Sequence, residues 1–228
     1  MSRSSTRNSA ARKSASAKSS GGDRTPSASS RSRTKEVDRL FDSYANSSLG
    51  MIDPEGIEAL CSDVGVDHTD VRILMLAWKM EAEKQGYFTQ DEWRRGLKAL
   101  RVGSLNKLKK ALLELEREVN NHPSNFASFY SYAFQSCLTE ERQKTVDIES
   151  VCVLLDLVLG FRFRPQVDLY IEYLKIQKDY LTITMDQWVG FFRFCNEISF
   201  PDLQNYDSNL AWPLIIDNFV EWLIEKQS

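Results

Sequence analysis

One segment of ten residues, 71–80, is apolar on nearly every side. It reads Val-Arg-Ile-Leu-Met-Leu-Ala-Trp-Lys-Met, and only Arg72 and Lys79 carry a charge. A helix that is hydrophobic all round is normally buried among other elements. The segment therefore predicts a central helix that the rest of the chain surrounds.

The chain from residue 36 onward is typical of an all-α protein. Its apolar residues recur at helical spacing, and no segment sustains the period-2 alternation of a half-buried strand. Capping and breaking residues divide it into about ten helices. We predict helices near 36–46, 54–64, 68–83, 90–100, 104–120, 124–138, 147–159, 165–178, 185–197 and 211–226.

Two stretches of the sequence echo each other. Thr89 is followed by Glu92 and Trp93, and Thr184 is followed by Gln187 and Trp188. Thr-x-x-Glu and Thr-x-x-Gln are capping boxes, in which the threonine and the Glu or Gln side chain satisfy free N–H groups at a helix start. The echo predicts two related halves, about 36–120 and 121–228, packed into one body (36–228).

The first half has the rhythm of paired EF-hands. A glycine at loop position 6 would be Gly50 in the first loop and Gly86 in the second. The first loop then lacks most of its ligand oxygens, and in the second Glu92 is needed for the capping box. We therefore expect an EF-hand-like scaffold without calcium, whose loops pair through Met51-Ile52 and Tyr87-Phe88.

Charge is distributed unevenly along the chain. Residues 1–35 contain nine Lys or Arg and one acid, a charge of +8, whereas the remainder carries −11. The first 34 residues contain no Val, Ile, Leu, Phe, Tyr or Trp, so residues 1–35 are expected to form a disordered basic tail. Such a tail is compatible with nuclear import, with weak nucleic-acid contact or with a solvated linker.

Several protein classes are disfavoured by what the sequence lacks. No apolar run approaches the ~20 residues of a membrane span, and there is no phosphate-binding glycine loop, Gly-x-Ser-x-Gly elbow or His-Glu-x-x-His motif. The cysteines are far apart and, with two histidines, do not resemble a zinc site. We expect a reduced intracellular protein without cofactor, metal or catalytic residues. The cysteines are Cys61, Cys137, Cys152 and Cys195.

The C-terminal stretch combines an apolar helix with an acidic ridge. Pro213 suits the first helical position, and Leu214, Ile215, Phe219 and Trp222 recur at helical spacing, which predicts a broad buried face. Acidic residues at i, i+4 and i+8 form one ridge of this helix. These are Asp217, Glu221 and Glu225.

This stretch also carries a resemblance. Asn205-Tyr206-Asp207, followed by Ala211-Trp212-Pro213-Leu214-Ile215-Ile216-Asp217 and Phe219-Val220-Glu221-Trp222, resembles the C-terminal signature of the defective-in-cullin-neddylation family. The resemblance covers about residues 37–225 and includes Leu76-Ala77-Trp78-Lys79, Gly86-Tyr87-Phe88-Thr89 and Asp186-Gln187-Trp188. The shared unit of that family is the potentiating-neddylation, or cullin-binding, domain.

The resemblance implies a non-catalytic co-ligase. Such a scaffold holds a cullin beside the conjugating enzyme that carries the ubiquitin-like modifier, and it speeds transfer to a cullin lysine. Carried over by motif, the cullin-binding residues are Asp186, Ala211 and Asp217. Asp186 could alternatively be a first-turn acid that only favours its helix dipole.

The second face that the resemblance implies is an apolar pocket for the acetylated N-terminal methionine of the conjugating enzyme. An acetylated terminus is uncharged and can be buried, unlike a free ammonium. The residues carried over are Ile57, Ile73, Leu76, Gln85 and Leu157, each of which could equally belong to the core. Ser136 stands where family members often have an aromatic residue, so the pocket's shape is expected to differ.

The sequence thus predicts a monomer that binds a cullin C-terminal domain and a conjugating enzyme, and the modifier indirectly. The basic tail resembles that of family members found in the nucleus, so nucleus and cytoplasm are the expected locations, without a membrane. A calcium-responsive EF-hand-like adaptor remains the alternative function.

Overall fold

Ten α-helices and four very short β-strands make up the part of the chain that the computed structural model describes, the backbone of residues 28–227 and the side chains of residues 33–227. The predicted all-α fold is confirmed. The helices are α1 Ala28–Asp42, α2 Pro54–Val64, α3 Val71–Met80, α4 Gln90–Ala99, α5 Leu105–Asn121, α6 Pro123–Ser136, α7 Ile148–Leu159, α8 Arg164–Ile176, α9 Met185–Glu197 and α10 Leu214–Gln227. The strands are β1 Ala45–Asn46, β2 Met51–Ile52, β3 Thr145–Asp147 and β4 Thr182–Thr184.

Helix α1 begins earlier than the sequence predicts. It starts at Ala28, inside the predicted basic tail of residues 1–35, whereas residues 1–27 lie outside the described residues. The predicted start at residue 36 lies just before the first buried residue, Val37. The helix begins earlier because polar residues can extend a helix beyond its apolar face. Val37 and Phe41 bury that face, and Trp93 of α4 donates a hydrogen bond from Nε1 to the carbonyl of Val37 at 3.1 Å.

The four short strands form two antiparallel pairs. β1 pairs with β2 and β3 pairs with β4, both antiparallel. Ile52 and Phe88 exchange two backbone hydrogen bonds of 2.9 Å, which confirms the predicted pairing of the two loops of the first half. Gly50 and Gly86 have φ of +65° and +76°, a left-handed conformation that glycine adopts without steric cost.

The same local design occurs in both halves. Asp53 caps α2 after β2, and Asp147 caps α7 after β3. Both predicted capping boxes are present, at Thr89 before α4 and at Thr184 before α9. The tryptophans that follow, Trp93 and Trp188, are buried in the two cores.

Buried apolar residues form two clusters that share helix α3. The first cluster runs from Val37 to Leu112, and the second takes in most buried residues from Leu115 to Leu223. On α3, Met75 belongs to the second cluster and Leu76 to the first, and both are completely buried. None of the ten residues of α3 is exposed, so the predicted central helix is confirmed.

Helix α10 differs from the prediction at its start. It begins at Leu214, and Pro213 precedes it and accepts a hydrogen bond from the N–H of Ile216 at 2.8 Å. Ile215 and Phe219 are buried as expected, but Leu214 is 66% exposed. The predicted burial of Leu214 is therefore wrong, because its helical position points away from the second core.

No helix in the described residues combines the length and the apolar character that crossing a membrane requires.

Candidate partner-binding surfaces

The first candidate surface lies where the segment before α10 packs against α9. Asp186 is an exposed residue in the first turn of α9, and Gly190 follows one turn later on the same face. A Cβ built on Gly190 would lie 2.6 Å from Cγ of Pro213. The proline ring therefore fills the space above Gly190, which brings the start of α10 against α9 one turn from Asp186.

Arg193 holds the same segment one turn further along α9. Its Nη1 donates a hydrogen bond to the carbonyl of Ala211 at 3.1 Å, and its guanidinium stacks on the Trp212 ring at 4.0 Å from the centroid. Its Nε donates to Glu197 at 2.9 Å. The arginine charge is thus neutralised in place, and the backbone of Ala211 is fixed while its side chain stays exposed.

Asp217 is oriented by a tyrosine from the preceding loop. The hydroxyl of Tyr206 donates a hydrogen bond to Oδ1 of Asp217, which is half-buried. Burial and this hydrogen bond raise the pKa of Tyr206, so the phenol stays protonated and remains a donor. Glu221 and Glu225, one and two turns later, are exposed on the same side of α10.

The structure brings these residues into one region, which we call the acidic surface (Asp186, Ala211, Asp217). Asp186 precedes Gly190 by four residues and Asp217 follows Pro213 by four residues, so each acid is about 6 Å along its helix from the contact between the two. Two carboxylates and an exposed alanine thus lie close to the contact between Gly190 and Pro213, an arrangement that suits close approach of a basic partner.

The second candidate surface is a cavity of about 790 Å³ between the two halves. It is lined by four of the five residues that the resemblance assigns to the pocket: Ile57, Ile73, Gln85 and Leu157. Ile57 and Ile73 form part of its apolar wall, whereas Gln85 is exposed. Leu76 is different, because it is 0% exposed in the first core and is not among the lining residues. Its assignment to the pocket is therefore corrected: Leu76 lies behind the wall.

The sequence predicts little of the wall that the second half contributes beyond Leu157. Val153 of α7 lines the cavity and is 67% exposed, and Tyr132 of α6 lines it while donating a hydrogen bond to the carbonyl of Ala82 at 3.0 Å. Val153 precedes Leu157 by one helical turn, so helical spacing from Leu157 could have found it. Ser136, whose side chain is small, also lines the cavity.

Two of the charged side chains at the cavity, Asp70 and Lys84, have local partners. Asp70 accepts hydrogen bonds from Nε and Nη2 of Arg72 at 2.8 and 2.5 Å, and these bonds lower the pKa of its carboxyl. Lys84 lies over the Tyr87 ring at 3.5 Å from the centroid. Apolar side chains such as Ile57, Ile73 and Val153 line the cavity together with polar ones such as Gln85 and Ser150, so the cavity suits an uncharged group with an apolar side chain.

The carboxylate of Glu92 accepts hydrogen bonds within the protein, which bears on whether this loop could bind calcium. Its carboxylate accepts hydrogen bonds from the N–H of Glu83 at 2.9 Å and from the N–H and hydroxyl of Thr89 at 2.7 and 2.8 Å. The residue that would close a calcium loop therefore caps α4. Among the described residues, no group of three or more His, Cys, Asp or Glu side chains is arranged to hold a metal ion. Nothing in the described part of the chain favours the calcium-responsive adaptor.

The four cysteines are not activated thiols. Burial raises the pKa of Cys61 to about 11, and it also raises the pKa of Cys137, Cys152 and Cys195. A thioester-forming cysteine needs a lowered pKa and an accessible sulfur, and three of the four are buried. None of these side chains is suited to carry a modifier.

Comparison with known proteins relates this chain to one family. A family model described as "Cullin binding" matches residues 107–222, which include the acidic surface and Leu157 but not Ile57, Ile73 or Gln85. DCN1-like protein 4 of Homo sapiens is 38% identical over 187 residues, which are 82% of this chain and 62% of that protein. DCN1-like protein 5 of Homo sapiens is 36% identical over 178 residues, 78% of this chain and 73% of that protein. DCN1-like protein 4 of Danio rerio is 37% identical over 177 residues, 78% of this chain and 61% of that protein. The chain thus spans less than two thirds of the two DCN1-like 4 relatives.

Proposed function

Because the chain belongs to the cullin-binding family of DCN1-like proteins, we propose that it is a scaffold-type co-ligase that promotes neddylation of cullins. It binds the cullin C-terminal domain on one face and the modifier-charged conjugating enzyme on another. The observation that carries this proposal is the presence of two separate surfaces. The acidic surface is built by α9, α10 and the segment before α10, whereas the cavity is lined by α2, α3, α6, α7 and their loops.

The mechanism is proximity without covalent chemistry on this chain. A cullin lysine attacks the thioester on the conjugating enzyme, and the modifier passes from the enzyme's cysteine to the lysine amine. Fixing the two reactants side by side converts an encounter into an oriented step, which can lower the barrier by several kcal/mol. The raised pKa values of the cysteines in this chain agree with a role that needs no nucleophile.

The cullin is proposed to dock on the acidic surface through Lys or Arg side chains. A panel of cullin C-terminal domains in a pull-down tests this, with wild type beside the double variant Asp186→Ala, Asp217→Ala. We expect the double variant to lose the cullin that wild type captures. The matched control is Asp42→Ala with Glu114→Ala, which removes the same charge from exposed positions in the first half and should bind normally. Equal capture by both double variants would remove the acidic surface from the proposal.

The conjugating enzyme is proposed to insert its acetylated N-terminal methionine into the cavity. The apolar wall around Ile57 and Ile73 accepts the side chain, and burial selects the uncharged acetylated terminus over a free ammonium. Fluorescence polarisation with acetylated and unacetylated peptides measures the selection. Only the acetylated peptide should bind, and Leu157→Glu should weaken it at least tenfold by placing a charge in the apolar wall. Equal binding of both peptides would contradict the assignment.

Residues 1–35 are proposed to direct part of the protein to the nucleus, since their charge is +8. Removing residues 1–27 from a fluorescent fusion of the full chain should shift it toward the cytoplasm. An unchanged distribution would mean that the basic residues have another role.

The protein is proposed to act as a monomer. Light scattering of the purified chain measures its mass, and a dimer would contradict this proposal.

A further inference from the structure

Three apolar side chains are exposed beside the residues of the acidic surface. Leu214 is 66% exposed, Leu210 is 50% exposed and Val189 of α9 is 42% exposed. Val189 lies three residues after Asp186, and Leu214 lies three residues before Asp217, so each pair shares one face of its helix. Leu210 adjoins Ala211 directly. An apolar strip of exposed side chains therefore adjoins the two carboxylates.

The strip is held in a defined conformation. The N–H of Leu210 donates to the carbonyl of Asp207 at 3.2 Å, and the N–H of Trp212 donates to the carbonyl of Leu210 at 2.8 Å. Trp212, only 8% exposed, stacks on Tyr206 with 5.6 Å between ring centroids.

Arg193 and Gly190 fix the strip to α9 from below. The guanidinium of Arg193 contacts both Ala211 and Trp212, and Gly190 leaves room for the ring of Pro213. Trp212 is held by Arg193 and Pro213 is held against Gly190. With these two residues packed on α9, Leu210 and Leu214 are directed outward. Their exposure follows from fixed packing and not from a loose segment.

We propose that this strip, Leu210, Ala211 and Leu214 with Val189, is the apolar centre of the cullin-docking surface, and that Arg193 is its positioning residue. The inference rests on the proposed function. Its occupant is a cullin face that presents apolar side chains beside basic ones, because the carboxylates of Asp186 and Asp217 adjoin Val189 and Leu214 of the strip. Apolar centres within polar rims are the usual anatomy of specific interfaces.

The contributions of the carboxylates and of the apolar strip to cullin binding should respond differently to salt. Exposed ion pairs are screened as the Debye length shrinks, whereas burial of apolar area is not weakened by ordinary salt. Covering a leucine side chain is worth about a tenfold change in affinity or more. Loss of the leucines should therefore weaken binding at every salt concentration, and loss of the acids should matter most at low salt.

The test is calorimetry of the full chain with a cullin C-terminal domain, at about 0.05 and 0.5 M salt. The variant Leu210→Gln, Leu214→Gln should bind about tenfold more weakly or worse at both concentrations. Asp186→Asn with Asp217→Asn should lose affinity mainly at the lower one. Leu49→Gln is the matched control, since Leu49 is 52% exposed in the first half, and it should bind like wild type.

Arg193→Met tests the positioning role. It should weaken cullin binding by about tenfold while binding of the acetylated peptide in the cavity stays unchanged, which a general loss of folding would not allow. If the leucine variant binds like wild type while the acid variant does not, the apolar strip is refuted and the proposed function stands. If wild type binds no cullin domain, the proposed function itself fails.

Discussion

At the scale of single residues, Glu92 shows how a position typical of one chemistry can serve another. It occupies the closing position of an EF-hand-type loop, yet its side chain is 7% exposed and receives three hydrogen bonds from Thr89 and Glu83. The sequence predicts this outcome because Thr89 and Glu92 have the spacing of a capping box, and capping is a local interaction.

The capping role leads to a stability prediction. Glu92→Ala should lower the free energy of unfolding by about 1–2 kcal/mol, because two backbone N–H groups lose their acceptor. Asp91→Ala is the control, since the Asp91 side chain is 87% exposed, and it should change stability by less than about 0.5 kcal/mol. Denaturant unfolding compares the two. Equal effects would mean that the hydrogen bonds of Glu92 contribute nothing net.

The residues that the sequence misplaces are those whose environment depends on tertiary packing. Leu76 and Leu214 both fit an apolar helical pattern, but Leu76 faces the first core instead of the cavity and Leu214 faces outward. Periodicity defines which residues share a face, and it does not define what that face meets. Leu157 and Gln85 could be placed only through the family resemblance.

At the scale of elements, helix starts with local signals are predictable and the others are not. α2 and α9 begin and end where predicted, because Asp53, Pro54 and Thr184 mark their starts. The first turns of α1 contain no Val, Ile, Leu or aromatic residue, so the predicted start lies eight residues late. The contact between α9 and the segment before α10 depends on Gly190 meeting Pro213, which no local pattern reveals.

The contact between Gly190 and Pro213 can be tested by the substitution Gly190→Ala, which adds one methyl group. Gly190→Ala places a Cβ 2.6 Å from Cγ and 3.0 Å from Cδ of Pro213, and a ring in the chain cannot move aside as a flexible side chain can. We expect a loss of about 1–3 kcal/mol in unfolding free energy, together with weaker cullin binding. In Gly103→Ala the Cβ would lie 3.4 Å from its nearest neighbours, and stability should stay within about 0.5 kcal/mol of wild type. A Gly190→Ala variant as stable as wild type would contradict the tight contact.

The aspartates that cap α2 and α7 predict a response to acid. Hydrogen bonds from the start of each helix, from the N–H of Gly56 to Asp53 and of Ser150 to Asp147, lower the pKa of both carboxyls. A group whose pKa is lower in the folded state stabilises the fold above its unfolded pKa, about 3.9 for aspartate, and this stabilisation is lost as pH falls through the folded pKa.

The matched variant is Asp147→Asn, since asparagine also caps helices but does not titrate. Wild type should be at least as stable as the variant at neutral pH, and its advantage should shrink as pH falls from about 5 to about 3. Urea unfolding at each pH measures this. A difference that stays constant with pH would show that the charge of Asp147 is not linked to folding.

At the scale of the whole molecule, function is proposed to depend on how the two halves meet. The repeated pattern of strand, capping residue and helix could be inferred from the echo of Thr89 and Thr184. The cavity between the halves could not be derived from local pattern, because one wall comes from α3 and the other from α6 and α7. Helix α3 contributes to both cores, so the helix that forms one cavity wall also packs into the body that supports the acidic surface.

The central claim is that one molecule must hold both reactants at once. The most direct measurement is the rate of modifier transfer to a cullin C-terminal domain, with an equal mixture of two variants in place of wild type. One variant carries Asp186→Ala and Asp217→Ala, and the other carries Leu157→Glu. Each retains one intact surface, so a true bridge predicts that the mixture stays at the unassisted rate. A mixture as fast as wild type would show that the two surfaces act independently, and the account would be wrong.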